Sequence, residues 1–261
     1  MKNHLKWLLP VIVLAGLGAW YVLQQPAPDP EQPPAIAQTS SSSASSIQHP
    51  IAPPAEEPTL PRLDDSDAEV RTSLQTLLGD AVGDLLVQTQ LIRHIVATVD
   101  NLPRPHLAQE SRPLRAVAGR FQVDDAETDP TISTANYRRY ATLVTLLDGA
   151  DVTAVAKWYR RHYPLFQQAY ANLGYPQGYF NDRLVAVIDH LLQTPELSGP
   201  IHLQRPKVMY EFADPDLESR SAGQKTLLRM GPDNLRIVKA KLRELRAAIT
   251  QSPAAYQAPT P

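Results

Sequence analysis

The sequence predicts an all-α fold: a helical domain of about seven helices behind an N-terminal transmembrane helix and a disordered Pro/Ser-rich linker. Three observations carry this. From about Leu63 onward, apolar residues recur at spacings of three and four, the period of a buried helix face. Ser, Asp, Gly and Pro punctuate the ends of those runs, where helices start and stop. No series of short alternating segments, the mark of a sheet, interrupts them. Composition narrows the chemistry. A formal net charge of -2 gives no global basic field, so no nucleic-acid partner is expected. The absence of cysteine excludes disulfides, thiolate catalysis, Cys-ligated zinc and iron–sulfur clusters.

Residues 1–23 read as a cytoplasmic stub and a membrane anchor. Lys2 and Lys6 precede an uncharged apolar run from Trp7 to Leu23, the short end of a spanning helix. Trp7 at one end and Trp20–Tyr21 at the other suit the two interfaces, and lysines before the span place the N-terminus in the cytoplasm. A cleaved signal peptide is the rival, but Trp20 and Tyr21 sit poorly after a cleavage site at Leu17-Gly18-Ala19. Residues 24–62 are rich in Pro, Ser and Ala and cannot bury enough surface to order themselves. Such a tether reaches between about 35 Å as a coil and about 120 Å fully extended. The tail at 251–261 reads as disordered on the same grounds.

The folded domain spans residues 63–250 in this reading. Ser66 with Glu69 forms the pattern of a capping box, followed by Val70, Leu74, Leu77 and Leu78 on one face. A second helix, LIRHIVATVDNLP, stops at Pro103, and residues 103–132 follow as a long structured loop. Ser133 caps a helix bearing Tyr137, Tyr140, Val144 and Leu147 and ending at Gly149. Asp151 caps the next, which Pro164 must kink or divide and Gly174 ends. Within it Tyr159, Tyr163, Phe166 and Tyr170 make an aromatic stripe, read as core first and as a ligand groove second. Tyr175-Pro176-Gln177-Gly178 is a turn before another helix. After Gly199–Pro200, KVMYEF is a short extended segment; helices near 214–230 and 233–250 are divided by Gly231–Pro232. The last carries the seam Leu235, Val238, Leu242, Leu245 and Ile249, flanked by basic residues.

Candidate function concentrates in LGYPQGYFNDRLVAVIDHLLQTP, residues 173–195. At a hundred degrees per residue, Phe180, Leu184, Val187, Ile188 and Leu191 share a core arc. Asn181 falls inside that arc, so its amide must fix a neighbouring loop or face a cleft. Asp182 and Asp189 share the opposite face, with Arg183 and His190 on the flank beside it. The earlier stretch RHIVATVDNL aligns without gaps on DRLVAVIDHL and matches Asp100 to Asp189. If the two helices pack together, Arg93 is expected near Asp182 or Asp189 as a structural ion pair. Tyr175, Tyr179, Asn181, Asp182, Arg183, Asp189, His190, Arg93 and Asp100 are therefore the residues of a candidate binding or structural polar face.

The blocks LIRHIVATVDNLPR, ISTANYRRY, YPQGYFNDRLVAVIDHLLQTP and FADPDLESRSAGQKTLLRMGP resemble a bacterial family catalogued only as domain of unknown function 3014. The resemblance runs from about Leu60 to about Ala247. It implies an anchored, helical envelope protein and assigns no activity and no residue roles.

Catalytic motifs are missing: no nucleophile elbow, no HExxH and no phosphate loop occur. The histidines are scattered without ligand spacing, so no metal and no cofactor are expected. The reading is a non-catalytic envelope interaction or scaffold protein, on the inner membrane with its domain in the periplasm, binding a protein or a cell-wall component through the Tyr175–Tyr179 turn and the helix after it. Enzyme activity stays open as a cell-envelope hydrolase using Asp182, Asp189 or His190, and anionic lipid or polymer binding by the basic last helix is the third reading.

Overall fold

The computed structural model describes residues 46–51, 59–106, 112–115, 117, 119–125 and 127–250. The anchor expected at 1–23, most of the linker and the tail at 251–261 lie outside the described residues. Among the described residues no helix is long and apolar enough to cross a membrane.

A short 3-10 turn at Leu63–Asp65 leads into α1 (Asp67–Leu78), α2 (Ala81–Leu85) and α3 (Leu91–Asn101). The strands β1 (Val123–Asp124) and β2 (Thr131–Ile132) come next, followed by α4 (Thr134–Arg138), α5 (Ala141–Asp148), α6 (Val152–Asn172) and α7 (Phe180–Leu192). The chain ends in β3 (Leu203–Gln204), β4 (Glu211–Phe212), α8 (Pro215–Glu218), α9 (Ala222–Arg229) and α10 (Pro232–Thr250). The protein is mostly helical, as its apolar period predicts. The strands are two-residue pairs, β1 with β2 and β3 with β4, both antiparallel.

Two apolar cores result. The larger is built where α10 packs on α5, α6 and α7, and α3 packs on α6 and α7. The α10 seam of Leu235, Val238, Leu242, Leu245 and Ile249 is wholly buried in it. The aromatic stripe is core too: Phe166 stacks on Phe180 with centroids 5.7 Å apart and meets Tyr159 edge-on at 5.3 Å. The smaller core, from Ile132, Ile201, Leu203, Phe212, Leu217 and Leu228, lies beneath the strand pairs.

The segmentation departs from expectation in five places. Ser66 makes no side-chain cap; its hydroxyl donates back to Leu63 C=O at 2.8 Å, and Glu69 instead meets the buried His162 Nε2 at 3.0 Å. The helix from 133 divides into α4 and α5, because the amides of Arg139 and Tyr140 bond three residues back and tighten the turn. Pro164 divides nothing: α6 runs through it, forgoing only the bond to Arg160 C=O. The 214–230 helix divides because Ser221 is extended (φ -61, ψ 159) and caps α9, its Oγ accepting from Gln224 N–H. The loop after Pro103 holds β1 and β2, and KVMYEF ends in β4. Ser133 and Asp151 do cap α4 and α6 as predicted.

α9 also fastens the end of α3. The N–H groups of Ala222 and Gly223 donate to the carbonyls of Arg104 and Leu102 at 2.8 and 2.9 Å. Gly223 has no room for a side chain there, since a Cβ would stand 2.6 Å from Leu191 Cδ2. This fixes the C-terminal end of α3 against α7, and so positions the candidate face.

Candidate functional site

The site grows from the turn between α6 and α7. Tyr179 precedes α7 but offers no side-chain cap. Gln167 of α6 takes that part: its Nε2 donates to Gly178 C=O at 2.7 Å, and its Oε1 accepts from Phe180 N–H at 2.9 Å. Gly178 must be glycine for closeness, because a Cβ would meet Tyr170 Cε1 at 2.7 Å. Tyr175 stacks on Tyr170 with centroids 4.7 Å apart. The turn is thereby pressed onto α6, and the first residues of α7 are presented in two directions.

One direction faces α3. Arg183 Nε donates to Asp100 Oδ1 at 2.9 Å, and its Nη2 donates to Asp100 C=O at 2.7 Å. Arg104 Nη2 donates to Oδ2 at 2.8 Å, and Tyr175 OH reaches the same oxygen at 3.3 Å. Asp100 is only 2% exposed. A carboxylate this buried is tolerable because two guanidiniums and a phenol satisfy it.

The other direction faces a strap from the linker. Asp182 Oδ2 accepts from Gln48 N–H at 3.0 Å, and Oδ1 accepts from His49 N–H at 2.7 Å. Asn181 Nδ2 donates to His49 C=O at 2.8 Å and to Ile249 C=O at 3.2 Å. Tyr159 OH donates to Asn181 Oδ1 at 3.2 Å, so the buried amide is oriented from α6 as it holds the strap. Tyr179 OH accepts from Ile51 N–H at 2.7 Å. The Tyr179 ring leans on Tyr163 at 5.4 Å. Burial, then the hydrogen bond with Tyr179, pushes the Tyr163 phenol far above its ordinary value, so it stays neutral.

The remaining candidates lie elsewhere. Asp189 forms a two-point pair with Arg246 of α10, at 2.5 and 2.9 Å. Arg93 pairs with Asp64 at 2.6 Å, not with Asp182 or Asp189. That expectation fails for a geometric reason: the end of α3 meets the start of α7, so Asp100, and not Arg93, faces the Asp182–Arg183 turn. His190 Nε2 stands 2.8 Å from Ser221 Oγ. Burial first, then Arg183 and Arg220, lowers the His190 pKa and favours neutral imidazole.

The chemistry available is limited. Ser221 and His190 have the spacing of a nucleophile and base, but Ser221 Oγ is already the α9 cap, and among the described residues no carboxylate bonds His190. A hollow of 330 Å³ between α6 and α10, lined by Thr153, Arg160 and Glu244 among others, holds none of the candidate residues. Among the described residues no cluster of three or more His, Cys, Asp or Glu could hold a metal ion. The basic row of α10 is largely matched within the domain: Lys239 with Glu196, Lys241 with Glu244, Arg236 with Asp233 and Arg246 with Asp189.

Sequence reasoning missed Gln167, Arg104, Ser221 and the strap itself. Arg104 sits four residues after Asp100, a spacing that signals a helix ion pair. Nothing local marks residues 48–51, whose partners are more than a hundred positions away. A family model described as "Protein of unknown function (DUF3014)" matches residues 91–246. No curated protein and no solved structure matches the chain.

Proposed function

The chain belongs to the DUF3014 family, whose description names no activity, and from that premise we propose that it is a non-catalytic interaction protein of the cell envelope. Residues 1–23 anchor it in the inner membrane with the N-terminus inside, and the helical domain works in the periplasm on its tether. The lysines, the apolar run and the paired interfacial aromatics support this placement. The partner is a protein or cell-wall component captured at the Tyr175–Tyr179 turn and the first turn of α7. One observation carries the reading: three nearly consecutive side chains, Tyr179, Asn181 and Asp182, already hold polypeptide main chain. Asp67 grips the Gln90 and Leu91 amides in the same way inside the helical body; at the Asp182 face the gripped chain is instead a linker stretch with no fully buried residue, held by three side chains at once.

The test is photo-crosslinking in cells from position 175, where Tyr175 is 36% exposed. Position 233, whose side chain is 88% exposed, is the control. A partner captured from 175 and absent from 233 is the expected result; identical captures from both positions would remove the reading.

A second reading, an envelope hydrolase, draws on the 2.8 Å Ser221–His190 contact. A fluorophosphonate probe decides it. Labelling of Ser221 that is lost in His190→Gln would establish a nucleophile, whereas the interaction reading expects no labelling.

A further inference from the structure

We infer that the Tyr179–Asp182 face reads the main chain of a proline-containing peptide, and that the protein's own stretch Ile47–Ile51 is a resident occupant which such a peptide displaces. This rests on the interaction reading and names the partner's chemistry. Every hydrogen bond recorded between face and strap engages a backbone group of the strap: N–H of Gln48, N–H and C=O of His49, and N–H of Ile51. No strap side chain takes part in them. The face therefore specifies a pattern of donors and acceptors before it specifies residues.

That pattern has a gap at position 50, where proline sits and has no N–H to satisfy. Proline also restrains its own φ and pushes His49 away from the helical region. The chain bends at Gln48–His49, so two successive N–H groups converge on one carboxylate, as backbone amides do on anions elsewhere. His49 and Ile51 are half-buried while Gln48 and Pro50 are exposed, an every-other-residue alternation. Ile51 packs on the rim of the larger core, and Ile47 is left 53% exposed. The ligand class is thus a segment of the form X-X-Pro-aliphatic, with an amide donor at each of the first two positions and at the fourth.

The occupant is suited to exchange. It has no fully buried residue, and the Gln48 bond is exposed. Segments with few buried contacts open at low free energy. Because strap and face share one chain, the strap competes at an effective concentration on the order of millimolar. A free peptide must overcome that, so disabling the strap should raise peptide affinity by about tenfold or more.

The experiment uses the full-length chain and a fluorescein-labelled synthetic peptide spanning residues 45–53. Anisotropy titrations compare wild type with the strap variant His49→Pro/Ile51→Pro, which removes two gripping amides and leaves the face intact. We expect at least about tenfold tighter binding by the strap variant. In that background Asp182→Asn should weaken binding by about tenfold, and methylating the His49 amide nitrogen of the probe should abolish it. In wild type, excess probe should accelerate hydrogen exchange at amides 48, 49 and 51, a readout that needs no strap substitution. Equal affinities for wild type and strap variant, or unchanged exchange with the probe bound, would overturn the inference. A stable dimer in which those amides are protected only at high protein concentration would overturn it too, in favour of strap exchange between copies. Capture of an envelope partner from position 175 alongside no probe binding would reject the peptide chemistry and leave the interaction reading standing.

Discussion

Asp100 and Asp182 stand on opposite sides of the first turn of α7, and they use their charge differently. Asp100 is buried beneath Arg183, Arg104 and Tyr175, and all three partners are side chains of the folded body. Asp182 is half-buried, and its partners are two backbone amides of the linker. The first arrangement locks α3 to α7 and would be costly to lose. The second, on the inference drawn above, holds something that can leave. In the proposed reading, adjacent residues Asp182 and Arg183 thus divide binding from folding, and the difference lies in what the partners are and how far water is kept from them.

The sharpest attack on this comparison is Asp100→Ala. It strands two guanidiniums, one of them half-buried, and should lower stability by about 3–5 kcal/mol, seen as a drop in Tm of about 10 °C. Next comes Gly178→Ala, whose new methyl collides with the Tyr170 ring; about 1–3 kcal/mol of destabilisation in urea unfolding is expected. Gln167→Ala removes both bonds that hold the turn and should cost about 1–2 kcal/mol, with faster hydrogen exchange at Phe180 N–H. Asp189→Ala breaks a solvent-screened pair with Arg246 and should change stability by less than about 1 kcal/mol.

The smallest effect is one of pH. The folded state depresses the His190 pKa below 6.5, so the unfolded chain takes up the proton first. Its contribution is intact above that value and is lost as pH falls through it toward the folded pKa. His190→Gln should flatten that part of the Tm-against-pH curve, to which His94, also depressed chiefly by burial, still contributes. An unchanged slope would remove His190 from the account.

Much of the helical body was legible because an apolar stripe at helical period leaves one way to bury itself. The α10 seam and the Ser133 and Asp151 caps are local signals and hold. Asn181, an amide on a core arc, was legible as a residue that fixes a loop or faces a cleft; which of the two, and which loop, was not. What local reading missed depends on distant partners. Ser66 and Glu69 have capping-box spacing, yet His162 of α6 takes the carboxylate. The likeness of the α3 and α7 stretches suggested that Arg93 meets Asp182 or Asp189. Similar sequences say nothing of which ends meet, and here the end of one meets the start of the other. The strap is the extreme case, since residues 48–51 lie in a stretch whose composition alone argues against order.

The most direct measurement of the central claim is amide hydrogen exchange at Gln48, His49 and Ile51 in full-length Asp182→Asn beside wild type, with Tm recorded for both. The account requires markedly faster exchange at Gln48 and His49 with a Tm within about 2 °C of wild type. Unchanged exchange at those amides, or a fall in Tm matching that of Asp100→Ala, would contradict it and make Asp182 one more strut of the core.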